Sequence, residues 1–445
     1  MAMRSTKLRL LNRHATGALL VLAPLVGGAL ATACGNDETV RFDDAETDAG
    51  ARDDATAPGD SLDASARADA QDATTDDGPF DAAVREVSCV SSSCAIALTH
   101  PTTADGDERS GQGFCALLHD RKVACWGSNT YGQLGNGLDD GVASATPRHV
   151  VGLSNIVSVN GACALDEDGS AWCWGFGPFL QATSGHGTFA RTPVKLPIPA
   201  ATRISAPRLN LCVLIEGEPQ CWGFTSNGLV PAIDGAIRIF EPVPIPMPDG
   251  AKVREIFHTD YAAFLLGDDG KLWSWGARAG IGRVTSFSPD RNPDAIALEG
   301  VTNVSVAARN ACVVANGIPY CWGSDVGYAL LPEPVVTPER VVQISNTDIV
   351  AQLPRRWCAV GGSGAVYCWG YNASGQAGDG TTEYAMTAVK VPLPAPAVHV
   401  ETTADSTCAL LETGRVLCWG GNYFGQLGNG KFKVPSLVPV EVLLP

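Results

Sequence analysis

Cys408-Ala409-Leu410-Leu411-Glu412-Thr413-Gly414-Arg415-Val416-Leu417-Cys418-Trp419-Gly420 is the stretch on which the fold is decided, because variants of it recur along the 445-residue chain. Its Trp-Gly ending stands at Trp126, Trp174, Trp222, Trp275, Trp322, Trp369 and Trp419, at intervals of 48, 48, 53, 47, 47 and 50 residues. A period near fifty, rich in glycine and aromatic residues, marks an array of small β units. One such unit cannot bury its own apolar face, so the units must stack into one body. The period therefore outweighs the expectation of about one domain per 150 residues that length alone suggests.

Inside the repeat, twelve cysteines form six pairs: Cys115 with Cys125, Cys163 with Cys173, Cys212 with Cys221, Cys312 with Cys321, Cys358 with Cys368, and Cys408 with Cys418. The fourth repeat has Phe264 and Ser274 in their place, so both partners are lost together. Hairpin geometry predicts that each pair is opposed. Asn316-Gly317 is a two-residue turn signal, and counting outward from it brings Cys312 opposite Cys321. Where the spacing is one longer, the loop is longer too, with Gly169, Gly364 or Gly414 suited to the left-handed position. Opposed cysteines in an exported chain are expected to be disulfides. Cys89 and Cys94 make a further local pair, expected to pin the base of a polar surface insertion over residues 99–112. Zinc is disfavoured, since zinc sites bring together closely spaced pairs in fours.

The N-terminus carries Arg4, Lys7, Arg9 and Arg13 and then the apolar run 18–30, too short to span a bilayer at about twenty residues. This is the layout of a signal peptide over residues 1–33. Leu30-Ala31-Thr32-Ala33-Cys34 resembles a bacterial lipobox, although Ala31 stands where leucine is usual, and makes Cys34 the expected lipid-attachment residue. Gly35 follows rather than aspartate, which favours the outer membrane or cell surface; plain secretion is the alternative. Residues 34–83 are rich in Asp, Ala and Thr and are expected to form a disordered acidic linker. Of the net charge of −16, −9 falls to the region beyond residue 85. An acidic body is a poor nucleic-acid partner, because that affinity comes largely from Lys and Arg.

The loop Tyr131-Gly132-Gln133-Leu134-Gly135-Asn136-Gly137 recurs as Phe424-Gly425-Gln426-Leu427-Gly428-Asn429-Gly430 and as Ser374-Gly375-Gln376-Ala377-Gly378-Asp379-Gly380. With the Cys-Trp-Gly strands, it resembles the regulator of chromosome condensation repeat, in a bacterial, exported, cysteine-rich form. The resemblance covers residues 84–445 and implies an all-β, seven-bladed β-propeller of four-stranded blades. In the second repeat the blade reads as strands at 147–151, 156–159, 162–165 and 171–174. On that phase the C-terminal segment 439–445 has no blade of its own and is expected to close the ring by joining the first.

No catalytic motif is found: His100, His119, His149, His186, His258 and His399 share no spacing and read as surface or loop histidines, and no Gly-x-Ser-x-Gly elbow or phosphate loop occurs. No cofactor, no metal and no catalytic residue is expected. The repeated tryptophans read as packing between blades. Aromatics outside the motif, Phe176, Phe179, Phe224, Tyr328, Trp357, Tyr371, Tyr423 and Phe424, are the candidate binding surface, since loops on a rigid scaffold carry binding. The expected function is a lipid-anchored, non-catalytic, monomeric interaction scaffold with an unknown protein or glycan partner and no nucleic acid. The resemblance also implies two roles known in the family, inhibition of β-lactamases and guanine-nucleotide exchange on Ran. A hydrolase or lyase at the mouth of a central channel is the remaining alternative.

Overall fold

A computed structural model of the chain describes residues 80, 85–89, 91, 93–101, 112–138, 141–177, 188–207, 209–231, 236–278, 280–307, 310–323, 330–347 and 356–445. The expected signal segment, Cys34, the linker as far as residue 79, most of the polar insertion, His186, Phe179 and Tyr328 lie outside these residues.

Each of seven sheets is a four-stranded antiparallel meander in chain order. Blade 1 holds β1 (Ala95–Thr99), β2 (Gly113–Leu118), β3 (Val123–Gly127) and β4 (Ser144–His149), and blade 2 holds β5 (Ile156–Asn160), β6 (Cys163–Asp166), β7 (Ala171–Gly177) and β8 (Thr188–Lys195). Blade 3 holds β9 (Arg203–Ser205), β10 (Asn210–Ile215), β11 (Glu218–Phe224) and β12 (Arg238–Pro244); blade 4 holds β13 (Val253–His258), β14 (Ala262–Gly267), β15 (Leu272–Gly276) and β16 (Asp290–Ala295). Blade 5 holds β17 (Val301–Ala307), β18 (Asn310–Ala315), β19 (Ile318–Gly323) and β20 (Glu333–Pro334). Blade 6 holds β21 (Val341–Asn346), β22 (Arg356–Gly361), β23 (Val366–Gly370) and β24 (Ala385–Lys390), and blade 7 holds β25 (Ala397–Thr402), β26 (Ser406–Leu411), β27 (Val416–Gly420) and β28 (Ser436–Glu441). The first strands of successive blades touch one another around the ring, and β25 meets β1 to complete it.

The hairpins have the register read from the turns. Cys212 faces Cys221 and Cys312 faces Cys321 across two-residue loops, where Glu216-Gly217 and Asn316-Gly317 all have positive φ, as a type I′ turn requires. In the longer loops Gly169, Gly364 and Gly414 take the left-handed conformation. All six pairs are disulfides with Cα atoms 4.0–4.2 Å apart, the close spacing of non-hydrogen-bonded sites in an antiparallel pair. Phe264 faces Ser274 at the vacant station. Alkylation of the unreduced protein is expected to label none of these twelve cysteines. Reduction should remove about 2–3 kcal/mol per short loop, readable as a fall in the denaturant midpoint.

The blade phase differs from the sequence reading by one strand. Segment 147–151, read from the sequence as the first strand of the second blade, instead falls at the end of β4, which pairs with β3 through Cys125 and Arg148. Every blade therefore begins one strand later than expected. The C-terminal segment is correspondingly the fourth strand of blade 7: β28 pairs with β27, Leu417 facing Glu441 and Cys418 facing Val440. Among the described residues no strand crosses from blade 7 into the sheet of blade 1, and the ring shuts by packing. Trp126, Phe114 and Leu118 share one apolar cluster with Leu410, Leu427 and Val442. Ala95 N donates to Gly414 O (2.9 Å), Gly430 N to Ala145 O (2.8 Å) and Ser88 N to Glu412 O (2.7 Å).

The Cys89–Cys94 disulfide is formed, with Cα atoms 5.6 Å apart, but its position changes its role. Cys94 lies against the β26–β27 turn so closely that a Cβ on Gly414 would fall 1.8 Å from its sulfur. It thus clasps the start of blade 1 to blade 7 rather than pinning the insertion alone. Upstream, Arg85 pairs with Glu412 (3.2 Å) and the guanidinium of Arg340 stacks over Phe80 (5.5 Å). The lead-in segment therefore touches the hairpin-turn face of blades 5, 6 and 7.

Candidate binding surfaces

The Gly-Gln-Leu-Gly loops link the repeats in a way their composition does not announce. Each loop is braced internally: Gln133, Gln376 and Gln426 accept through Oε1 from the backbone N–H of Tyr131, Ser374 and Phe424 at 2.7–2.8 Å. The backbone carbonyl of the same glutamine then accepts from the indole Nε1 of the next blade's tryptophan. Trp174 donates to Gln133, Trp419 to Gln376 and Trp126 to Gln426, each at 2.9 Å. Close approach requires glycine here, since a Cβ on Gly378 would lie 2.6 Å from Trp419 Nε1. Loops that have lost the motif keep the bond: Trp275 donates to Leu229 O (3.0 Å) and Trp322 to Gly280 O (2.9 Å). The motif tryptophans are fully buried except Trp369, which is half-buried and stacks on Trp357 (6.0 Å between centroids).

These loops frame a rim on the face opposite the hairpin turns. Phe176 lies there edge-on to Tyr131 (5.9 Å) and Phe189 (6.1 Å), and Tyr131 stacks on Phe189 (5.8 Å). Phe189 is 59% exposed. At the equivalent station of blade 3, Arg238 covers the ring of Phe224 at 4.1 Å. On blade 7, Tyr423, 58% exposed, packs edge-on to Phe424 at 4.8 Å and carries Lys433 over its ring. Tyr371 is half-buried. Trp357 is a correction: at 6% exposure it belongs to the core, because β22 is covered on both faces. Sequence reading missed Tyr131 and Phe189. Tyr131 holds the same motif position as Phe424, which was the signal that could have found it, and Phe189 lies 13 residues along the chain from Phe176 although the two are paired across β7 and β8.

The same face opens into a central channel, a cavity of about 300 Å³ lined by the first strands of all seven blades. A girdle of side-chain bonds runs around it. Thr99 Oγ1 accepts from Gly161 N (2.9 Å), Asn160 Oδ1 from Ala206 N (3.2 Å), and Asn303 Oδ1 from Ile344 N (3.0 Å). Gln343 exchanges two bonds with the backbone of Val400 at 3.0 Å, and Ser205 Oγ meets His258 Nδ1 at 2.9 Å. Between blades 7 and 1, Glu401 bridges two histidines, Oε1 to His100 Nδ1 (2.5 Å) and Oε2 to His399 Nε2 (2.9 Å). Burial would raise the Glu401 pKa, but the hydrogen bonds and charges of His100 and His399 outweigh it and bring it to about 2. His258 is buried, not a surface residue, and burial lowers its pKa to about 4. Sequence offers no sign of the His100–Glu401–His399 group, because 301 residues of chain separate His100 from Glu401, although His399 is only two residues from it. Among the described residues no set of three or more histidine, cysteine or carboxylate side chains could hold a metal ion.

A seven-bladed ring in which Trp126, Trp174, Trp275, Trp322 and Trp419 each donate to a loop of the preceding blade defines a propeller class, and the comparisons name it. Residues 122–163 and 413–445, and separately 397–426, match models of the regulator of chromosome condensation (RCC1) repeat. Over those residues the chain carries RCC1 repeats. It is 28% identical over 301 residues to the Ultraviolet-B receptor UVR8 of Arabidopsis thaliana, covering 63% of this chain and 68% of that protein. It is 26% identical over 175 residues to the mitochondrial RCC1 domain-containing protein RUG3 of the same plant, of which it spans 39%. Against the E3 ubiquitin-protein ligase HERC2 of Homo sapiens, identity is 25% over 314 residues, 65% of this chain and only 6% of that protein. Yeast RCC1 (Prp20), in its crystal structure with Kap60, has the same fold with a TM-score of 0.61 at 20% identity, over 72% of this chain and 83% of that one. Human WBSCR16 gives a TM-score of 0.60 at 18% identity, over 73% and 95% of the two chains.

Proposed function

We propose that this chain is a non-catalytic interaction scaffold that binds a partner protein through the aromatic rim of blades 1 and 2, outside the cytoplasm and on a lipid tether at Cys34. The observation that carries the reading is the Tyr131–Phe176–Phe189 cluster, three mutually packed rings with Phe189 more than half exposed. Aromatic side chains that are held rigid before binding lose little entropy and are favoured as interface anchors. Seven disulfides favour an oxidising compartment. The lead-in residues Phe80 and Arg85 touch the hairpin-turn face, the side away from the rim.

The test uses the native, unreduced protein with a photo-crosslinking residue at position 189. A specific adduct on the producing cell that falls about tenfold or more in the Tyr131→Ala variant, as expected for an anchor worth at least about 1.4 kcal/mol, supports the scaffold. An adduct insensitive to that change removes the rim from the account. Intact mass of the mature protein decides the tether. A start at Cys34 with added acyl mass is expected; any other start residue overturns it.

A further inference from the structure

We infer that the central channel is a binding site for a neutral, hydroxyl-rich small molecule, of the class of a monosaccharide or cyclitol. The site is separate from the rim and stands whether or not the rim binds a protein. Its volume of about 300 Å³ falls at the lower end of the range for ligand pockets, about 300–1,000 Å³. The girdle leaves donors over once it has stitched the blades together. Asn160 and Asn303 each commit their Oδ1 to a neighbouring strand, which leaves the NH₂ group of both available. Asn346 receives the Ser305 hydroxyl on Oδ1 at 2.7 Å, yet its Nδ2 has no partner although the residue is only 5% exposed. A buried amide left unpaired is unfavourable, and a ligand hydroxyl that reached it would relieve that cost.

The charge of the lining selects a neutral guest. Among the described residues no Lys or Arg lines the cavity, so an anion would find there none of the guanidinium or ammonium donors that carboxylates and phosphates normally recruit. Among the described residues Glu401 is the one carboxylate in the lining, and each of its oxygens is already engaged by a histidine, His100 or His399. Between the polar groups, Phe257 and Val306 offer apolar surface. Hydroxyls alternating with C–H faces are the surface of a sugar ring, and convergent polar groups within apolar walls are the usual form of a small-ligand site.

The experiment is saturation-transfer NMR with thermal shift on the disulfide-intact chain. The probes are glucose, galactose, mannose, N-acetylglucosamine and myo-inositol, each at millimolar concentration, with ethanolamine and inorganic phosphate as charged controls. At least one neutral probe should bind and raise the melting temperature. Asn346→Leu should weaken it about tenfold or more, as expected for one lost buried hydrogen bond. Val306→Phe fills the channel without removing any polar group and should abolish binding even if Asn346→Leu fails to fold. Binding of none of the neutral probes, binding of the charged controls alone, or neutral binding unchanged in Val306→Phe would each overturn the inference.

Discussion

Trp126→Ala is expected to destabilise the ring by about 4–6 kcal/mol, the largest effect of any single tryptophan truncation here. Removal of a fully buried tryptophan costs about 3–5 kcal/mol through lost transfer energy and the cavity left behind. The backbone carbonyl of Gln426 would also lose its indole donor, adding about 1 kcal/mol or more. Trp126 sits where blade 7 meets blade 1, in one cluster with Phe114, Leu427 and Val442. Among the described residues the seam has no shared strand, and besides this packing it is held by the backbone bonds beside it, the Cys89–Cys94 clasp and the His100–Glu401 and Arg85–Glu412 pairs. Denaturant unfolding with the disulfides intact reads the cost directly. Trp369→Ala is the internal control, because Trp369 is half-buried and leans on Trp357 rather than on a preceding loop. It should cost no more than about half as much. Equal losses for the two variants would mean that the seam is held elsewhere.

Acid is expected to weaken the fold in two separable windows, by about 3 kcal/mol in each. His258 has a native pKa of about 4, depressed by burial from an ordinary value of 6.5. Between those values the unfolded chain binds a proton that the native state refuses, so stability falls as pH drops from about 6.5 to 4. Glu401 has a native pKa of about 2 against an ordinary 4.5. Its contribution is complete above the unfolded value and is lost as pH falls from about 4.5 towards 2. Each gap of about 2.5 units corresponds to about 3 kcal/mol at 1.36 kcal/mol per unit. Unfolding free energy measured across pH for the wild type, His258→Gln and Glu401→Gln gives the two contributions by difference. His258→Gln should flatten the upper window only, and Glu401→Gln the lower. A wild-type slope retained in both variants would show that neither group is coupled to folding.

How far the sequence carries depends on the distance over which each feature is encoded. Cysteine pairing was legible because each pair lies within one hairpin whose turn residues set the register. The turns Asn316-Gly317 and Glu412-Thr413-Gly414 bring sulfur opposite sulfur with no help from the rest of the ring. The phase of the blades was not legible. In a cyclic array the first and fourth strands follow one another across every blade boundary, so the period is the same whichever strand is counted first. Only the pairing of β4 with β3, across the loop that carries the Gly-Gln-Leu-Gly motif, fixes where a blade ends.

The rim showed the same division. Phe176 and Phe424 could be singled out as aromatics outside the repeated strands, but Trp357 looked equivalent to them and lies in the core, since burial is a property of the neighbouring blade and not of the residue. By itself the sequence determined the number of blades, the hairpin registers and the disulfides, because these follow from local periodicity and turn geometry. The tertiary structure alone decided the blade phase, the seam and the channel. Those depend on residues brought together from opposite ends of the chain, as Glu401 is with His100 and Trp126 with Gln426, and ring closure is the only thing that makes them neighbours.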